Sequence, residues 1–341
     1  MGLTVIGHDP ADATSHSEED LLTRADVLLF SAPIRHTPAL IERYIAQSAG
    51  REAGKLWLDI TSVKVAPVAA MLHSQAEVVG LHPMTAPPKS PTLRGRVLVV
   101  CAARIARWKP WLSALLAALE AECVVATPEQ HDRAMALVQA LVHAGHLAQA
   151  SVLNDPAARP GALETLLPFR SASFEMDAAI AARILSLNPS IYEDIQFGNP
   201  YVPDVLRRAA ERLHRIATLV GQGSDAARNA FRQEFLLHNQ QGFGDVVLAE
   251  GNYTFERLGY LLADLHDEHS MSIHLPEDRP GSLRDLLQIF ERHGVNIASL
   301  HSSRTPAGEV HFRFGFSRDT RPTQLSEVAQ TLQGSGRVLP D

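Results

Sequence analysis

Val27-Leu28-Leu29-Phe30 and Val97-Leu98-Val99-Val100 carry no polar residue at alternate positions. A strand with one wet face alternates apolar and polar side chains, so runs of this kind belong to a sheet covered by helices on both faces, as in parallel α/β architecture. Working outward, Leu3 to Ile6, Leu56 to Leu58, Val78 to Leu81 and Val124-Val125 repeat the pattern, with helices expected between them at Thr37 to Ser48, Val65 to Ser74 and Pro110 to Glu120. Residues 1–126 therefore read as an α/β domain.

From Pro128 the texture changes to long Ala- and Leu-rich stretches of helical spacing, which makes 127–268 an all-helical domain. After His269 it changes again. Ser270 to Leu275 and Ile297 to Ser302 read as strands, Ser282 to His293 and Thr323 to Leu332 as helices, and a short strand falls near Arg337 to Leu339. Val310, Phe312, Phe314 and Phe316 alternate with His311, Arg313 and Gly315, the period-two mark of a sheet with one buried face. Residues 269–341 thus form a βαββαβ module.

The chain has 341 residues, 45% of them hydrophobic, with 31 basic against 38 acidic side chains and a formal charge of −7. Without a basic run, counterion release has no source, so neither nucleic acid nor an anionic membrane is expected as a partner. No uninterrupted apolar stretch approaches the ~18 residues needed to span a bilayer, and the start lacks a charged region leading into an apolar one. A cytoplasmic protein is expected. Cys101 and Cys123 read as small core hydrophobes rather than a disulfide pair.

Several positions invite chemistry. Asp9, after the first apolar run, suits the carboxylate that accepts hydrogen bonds from an adenosine ribose in a dinucleotide fold, although a turn residue is the plainer reading. No strand followed by G-x-G-x-x-G precedes it, so the domain reads as an N-terminally truncated Rossmann-like sheet. Either the natural protein begins upstream, which is the expectation, or Leu3 to Ile6 takes the vacant central place. Asp59 to Lys64 brings the Ser62 hydroxyl and the Lys64 ammonium to the sheet's carboxyl edge; the plainer reading has Thr61 or Ser62 capping the next helix. His82, at the end of the next strand, is placed to act as a general base.

The helix from Glu129 to about Leu153 is apolar around most of its circumference and is expected to be largely buried. Counted from His131 at ~100° per residue, Gln139, His143 and His146 form one narrow polar stripe on it. With no third ligand at a recognisable spacing and no H-E-x-x-H, no metal is expected. Arg183 lies at the margin of the stripe Met176, Ile180, Ile184 and Leu187, where a guanidinium needs either an internal carboxylate or a bound one. Gly281, in Arg279-Pro280-Gly281-Ser282, permits close backbone approach before a helix.

Taken together, Ser31 to Ile34, Asp59 to Lys64, Gly80 to Met84, Glu129 to Asp132, Gln139 to His143, Ala182 to Leu185 and Asn188 to Tyr192 resemble, in order and spacing, the prephenate dehydrogenase family of tyrosine biosynthesis. Arg279 to Gly281 and Leu300 to Thr305 resemble the ACT domains of aromatic amino acid enzymes. The resemblance implies oxidative decarboxylation of prephenate with hydride transfer to NAD, in a homodimer joined through the helical domain. His82 matches the catalytic histidine and Ser62 the serine that bonds it or the substrate. Arg183, His143, Tyr192 and Lys64 fall to the substrate, and Asp9, Ser31 and Pro33 to NAD. Gly281 and Asn296 fall to an aromatic amino acid effector such as tyrosine. Phe174-Glu175 stands where some relatives carry Tyr-Arg, which leaves arogenate as an alternative substrate. A redox-impaired regulatory protein on the same scaffold is the other alternative.

Overall fold

The computed structural model describes residues 2–85, 93–158, 161–265, 269–275, 279–304, 310–317, 319–333 and 337–339. The chain divides into two compact units, with the break between Ala230 and Phe231.

The first unit opens with α1 (Glu18–Arg24), then β1 (Val27–Phe30), α2 (Thr37–Ser48), β2 (Leu56–Asp59), α3 (Val65–Leu72), β3 (Glu77–Pro83), β4 (Val97–Arg104), α4 (Lys109–Leu119) and β5 (Glu122–Val125). The strands lie in the order β1-β2-β3-β4-β5, parallel except for the antiparallel β3/β4 pair. Both faces are covered, as the unalternating runs require. On one, Leu28, Phe30, Trp57 and Val78 pack with Ile41 and Tyr44 of α2 and Val68 and Met71 of α3. On the other, Leu56, Leu58, Val79, Leu81, Leu98 and Val100 pack with Leu112, Trp108 and Trp111 at α4.

Two expectations fail here. Leu3 to Ile6 is not a strand, and Leu3 and Val5 are 52% and 85% exposed. It has no described neighbour to hydrogen-bond with, so it does not take the central place in the sheet. Cys101 is buried as expected, but Cys123 is exposed, because β5 is an edge strand whose four residues all face solvent.

After the sheet come α5 (Pro128–Met135), a π-helical turn (Ala136–Leu141), α6 (Val142–Asn154), α7 (Ala172–Ser186), α8 (Pro189–Gly198) and α9 (Val202–Gln222). The continuous run Pro128–Asn154 is long and apolar enough by composition to cross a membrane. Contrary to expectation little of it is buried: Leu137, Val138, Val142 and Val152 are exposed, and its packed side is confined to residues such as Met135, Ala136 and Ala140. Apolar circumference thus does not imply burial within this unit.

The first unit ends in α10 (Asp225–Phe231), and the second continues with a π-helical turn (Arg232–Leu237) and α11 (His238–Leu265), which kinks at Gly244, where φ is 73°. Then follow β6 (Ser270–Leu275), α12 (Ser282–Arg292), β7 (Ile297–Arg304), β8 (Val310–Phe316), α13 (Pro322–Gln333) and β9 (Arg337–Leu339). The sheet is antiparallel in the order β7-β8-β6-β9. Val310, Phe312, Phe314 and Phe316 are buried against Leu286, Ile289 and Phe290 of α12 and Val328 and Leu332 of α13. This is the βαββαβ module read from the period-two pattern.

Candidate functional site

The segments that follow β1, β2 and β3 meet the helical part of the first unit. Arg35, just past β1, binds Asp194 (2.5 Å) and Glu193 (2.7 Å) of α8. A Cβ added to Gly198, at the end of α8, would lie 3.2 Å from Ile34 and 3.8 Å from Val63, so α8 closes tightly over the residues after β1 and β2.

At the core of this junction lies a buried polar ring. Lys64 is fully buried; its ammonium binds the Asp59 carboxylate and donates to the Leu81 carbonyl (2.8 Å), pinning the strand one residue before His82. Gly80 makes room for the pair, because a Cβ there would lie 2.9 Å from the Lys64 side chain and 3.1 Å from Asp59 Oδ2. Burial pushes the Asp59 carboxyl up and the Lys64 ammonium down, each opposed by the partner's charge. The Lys64 and Val65 backbone N–H groups donate to Asp132 at 2.7 and 2.9 Å. Asp132 Oδ1 lies 2.7 Å from His131 Nδ1, and His131 Nε2 lies 2.8 Å from His82 Nδ1. His82 is buried at the carboxyl end of β3. Its pKa is lowered to about 3, by burial first and then by His131 and Lys64, so the imidazole is neutral near pH 7.

The helix that brings His131 and Asp132 here is locally encoded. Thr127 Oγ1 accepts from the Gln130 N–H, and the Gln130 side chain accepts from the Thr127 N–H, a capping box that starts α5 at Pro128. Neither His131 nor Asp132 was singled out as a site residue from sequence. The Thr-x-x-Gln spacing was the available signal, since it fixes both among the first five residues of α5.

A second cluster lies between the π turn, α6 and α8. His143 stands edge-on to Tyr192, ring centroids 4.9 Å apart, and Gln196 donates to the Ala140 carbonyl at 2.9 Å. Gln139 Oε1, Gln196 Oε1 and His143 Nδ1 are buried with no hydrogen-bond partner among the described residues. Burial, and then His146, lowers the His143 pKa. His146 turns away to Asp177 of α7 (3.3 Å), so the three residues do not act as one stripe.

Other sequence candidates sort differently. Lys64 is excluded from the substrate role, because its ammonium is sealed in the pair with Asp59. Ser62 is half-buried with no hydroxyl partner among the described residues, and neither it nor Thr61 caps α3; Asp132 does so from 67 or 68 residues away. Thr61 instead binds Asp59 and the Val63 carbonyl. Arg183 is exposed and makes no ion pair among the described residues, which removes the internal-carboxylate reading; α7, which carries it, packs on α6 and α8. Ser31 and Pro33 are exposed beyond the end of β1.

Asp9 is exposed in a turn, its carboxylate accepting from the Ala11 N–H at 2.9 Å. A Cβ on Gly2 or Gly7 would meet nothing within 4 Å, so neither forms a tight cradle. The described residues therefore do not complete a dinucleotide pyrophosphate site. In the second unit, Gly281 (φ 97°) precedes α12 and lines a cavity of about 440 Å³ with Arg279, Ser282, Arg284, Leu287, Ser302 and Phe312. Asn296 is exposed and is not among the lining residues.

The sequence profile described as "Prephenate dehydrogenase, dimerization domain" matches residues 127–235, and that of the ACT domain residues 269–334. The 4-amino-4-deoxyprephenate dehydrogenase of Streptomyces pristinaespiralis is 30% identical over 207 residues, 60% of this chain and 67% of that protein. The chain belongs to the prephenate dehydrogenase family. Another member, the probable arogenate/prephenate dehydrogenase of Methanocaldococcus jannaschii, is 28% identical over 204 residues, 58% of this chain and 44% of that protein. The chain spans about half the length of the curated family members it matches. A solved prephenate dehydrogenase from A. aeolicus, in complex with hydroxyphenyl propionate and NAD+, has 18% identity and a TM-score of 0.49 over 64% of this chain and 78% of that one. Within the family reading, His82, His143, Tyr192 and Arg183 stay open to substrate roles, while Lys64 becomes part of the scaffold.

Proposed function

We propose that this chain acts as an NAD-dependent prephenate dehydrogenase. The observation that carries the reading is His82, a neutral imidazole at the carboxyl edge of the sheet, braced through His131 by the Asp132 carboxylate. In this reaction a ring carbon bearing a hydroxyl gives up hydride, the ring carboxylate leaves as carbon dioxide, and 4-hydroxyphenylpyruvate remains. A bound nicotinamide would supply the hydride acceptor, at a site the described residues do not complete. His82 takes the hydroxyl proton as the carbonyl forms. The electrons of the broken carbon–carboxylate bond then enter the ring, and the proton returns to the phenolate oxygen. Aromatisation drives decarboxylation, so the protein's work is positioning and proton handling. Arg183, exposed and without an ion-pair partner among the described residues, is assigned to a substrate carboxylate, and His143 and Tyr192 to the pocket wall.

Glu175 is already engaged with Arg170 at 2.5 Å, which argues against reserving it for the amino group of arogenate. The exposed Leu137, Val138, Val142, Ile180 and Leu185 support a homodimer formed through the helical region. The cavity beside Gly281 supports an aromatic amino acid effector such as tyrosine.

The test is direct. Mixing the protein with prephenate and NAD is expected to raise the reduced-nicotinamide absorbance with matching release of carbon dioxide. His82→Asn is expected to lower kcat by about 10³-fold or more while calorimetry still detects prephenate binding. Binding without turnover by the unaltered protein would favour the regulatory alternative, and full turnover by His82→Asn would sink the mechanism.

A further inference from the structure

We infer that His131 and Asp132 are positioning residues for His82, fixing the tautomer in which its Nε2 lone pair is free to take a proton. The inference rests on the reading of His82 as the base and deepens it. The Asp132 carboxylate accepts backbone N–H groups with both oxygens, from Lys64 at Oδ1 (2.7 Å) and from Val65 at Oδ2 (2.9 Å), so the ring nitrogen 2.7 Å from Oδ1 faces an acceptor. His131 Nδ1 therefore carries hydrogen. In the form of the His131 ring that carries a single hydrogen, this leaves Nε2 as an acceptor. It lies 2.8 Å from His82 Nδ1, which must then donate. By the same one-hydrogen rule, His82 Nε2 is bare. It has no partner among the described residues.

Each link fixes an orientation as well as a proton. The two rings cross at 68°, with centroids 5.0 Å apart, and both are buried, so neither turns without breaking a bond that water cannot easily replace. Asp132 is held in turn by the start of α3, and Lys64, the first of its backbone donors, reaches with its side chain to the Leu81 carbonyl next to His82. The base is thus fixed through its ring and through its strand from the same lysine. This is the logic by which a carboxylate sets a histidine tautomer in hydrolytic triads, with one imidazole interposed.

The experiment reads the tautomer without turnover. In protein labelled with ¹⁵N-histidine, long-range ¹H–¹⁵N spectra at pH 7, with His82 assigned by its loss in His82→Asn, are expected to show His82 protonated at Nδ1. His131→Leu is expected to shift His82 toward the Nε2–H form and to lower kcat by about 10²-fold or more, with KM within about threefold. His131→Gln, whose carboxamide oxygen can accept in place of Nε2, is expected to recover kcat to within about tenfold of the unaltered protein. An Nε2–H form in the unaltered protein overturns the inference, as does a Leu variant with unchanged tautomer and kcat, or a Gln variant no better than Leu. Should the Leu variant fail to fold, the spectrum of the unaltered protein decides alone. A chain inactive on prephenate but protonated at Nδ1 sinks the functional reading and leaves this one standing.

Discussion

Two polar clusters in the first unit are buried to comparable purpose but finished differently. Around His82, hydrogen bonds within the chain tie Asp59, Lys64, Asp132 and His131 together, and Asp59 Oδ2 is the one buried side-chain atom of the four with no partner among the described residues. Around His143, three buried polar atoms on Gln139, Gln196 and His143 have no partner among the described residues. Burying a polar group without a partner costs about 1–3 kcal/mol. The first cluster is therefore closed but for Asp59 Oδ2, whose charge Lys64 offsets, whereas the second leaves three polar atoms unmet among the described residues. Under the proposed function, proton handling falls to the first cluster and recognition to the second.

The contrast is broken most easily at Lys64. Replacing it by Met leaves Asp59 buried without its counter-charge, and urea unfolding is expected to report a loss of about 3–5 kcal/mol; a loss below about 1 kcal/mol would show that the ring is not the brace described. Gln139→Leu probes the other cluster. Removing an unpaired oxygen is expected to change stability by less than about 1 kcal/mol while raising the KM for prephenate about tenfold, and an unchanged KM would remove Gln139 from recognition. The smallest effect is on acid stability. Because the folded pKa of His82 is about 3 and the unfolded value 6.5, the unfolded chain takes the proton first as pH falls, so stability drops from just above pH 6.5 toward pH 3. Between pH 7 and 6 this amounts to less than about 1 kcal/mol, and His82→Asn is expected to show a correspondingly shallower slope in thermal unfolding over that interval.

The α/β sheet and the βαββαβ module were legible in sequence because burial on both faces, or on one, writes itself into the period of apolar residues. Val97 to Val100 and Phe312 to Phe316 are the clear cases. Leu3 to Ile6 has the same composition and is not a strand, since hydrogen-bonding neighbours are a property of the sheet and not of the run. His82 and Ser62 could be placed at the carboxyl edge from the ends of strands. The roles of Lys64 and Asp132 could not, because the cap of α3 comes from a distant helix and the lysine folds back under the next strand. Helical spacing counted from His131 puts Gln139, His143 and His146 on one stripe, but the count assumes an unbroken α-helix and the π turn at Ala136–Leu141 shifts the phase between α5 and α6.

That turn makes length itself carry information. A wider turn holds more residues than an α-helical one, so it rotates everything downstream relative to everything upstream without altering any side chain. The direction of His143 relative to His131 depends on that count, and a chain one residue shorter there would keep both histidines and change the angle between them. That angle is thus stored in arithmetic along a single rod.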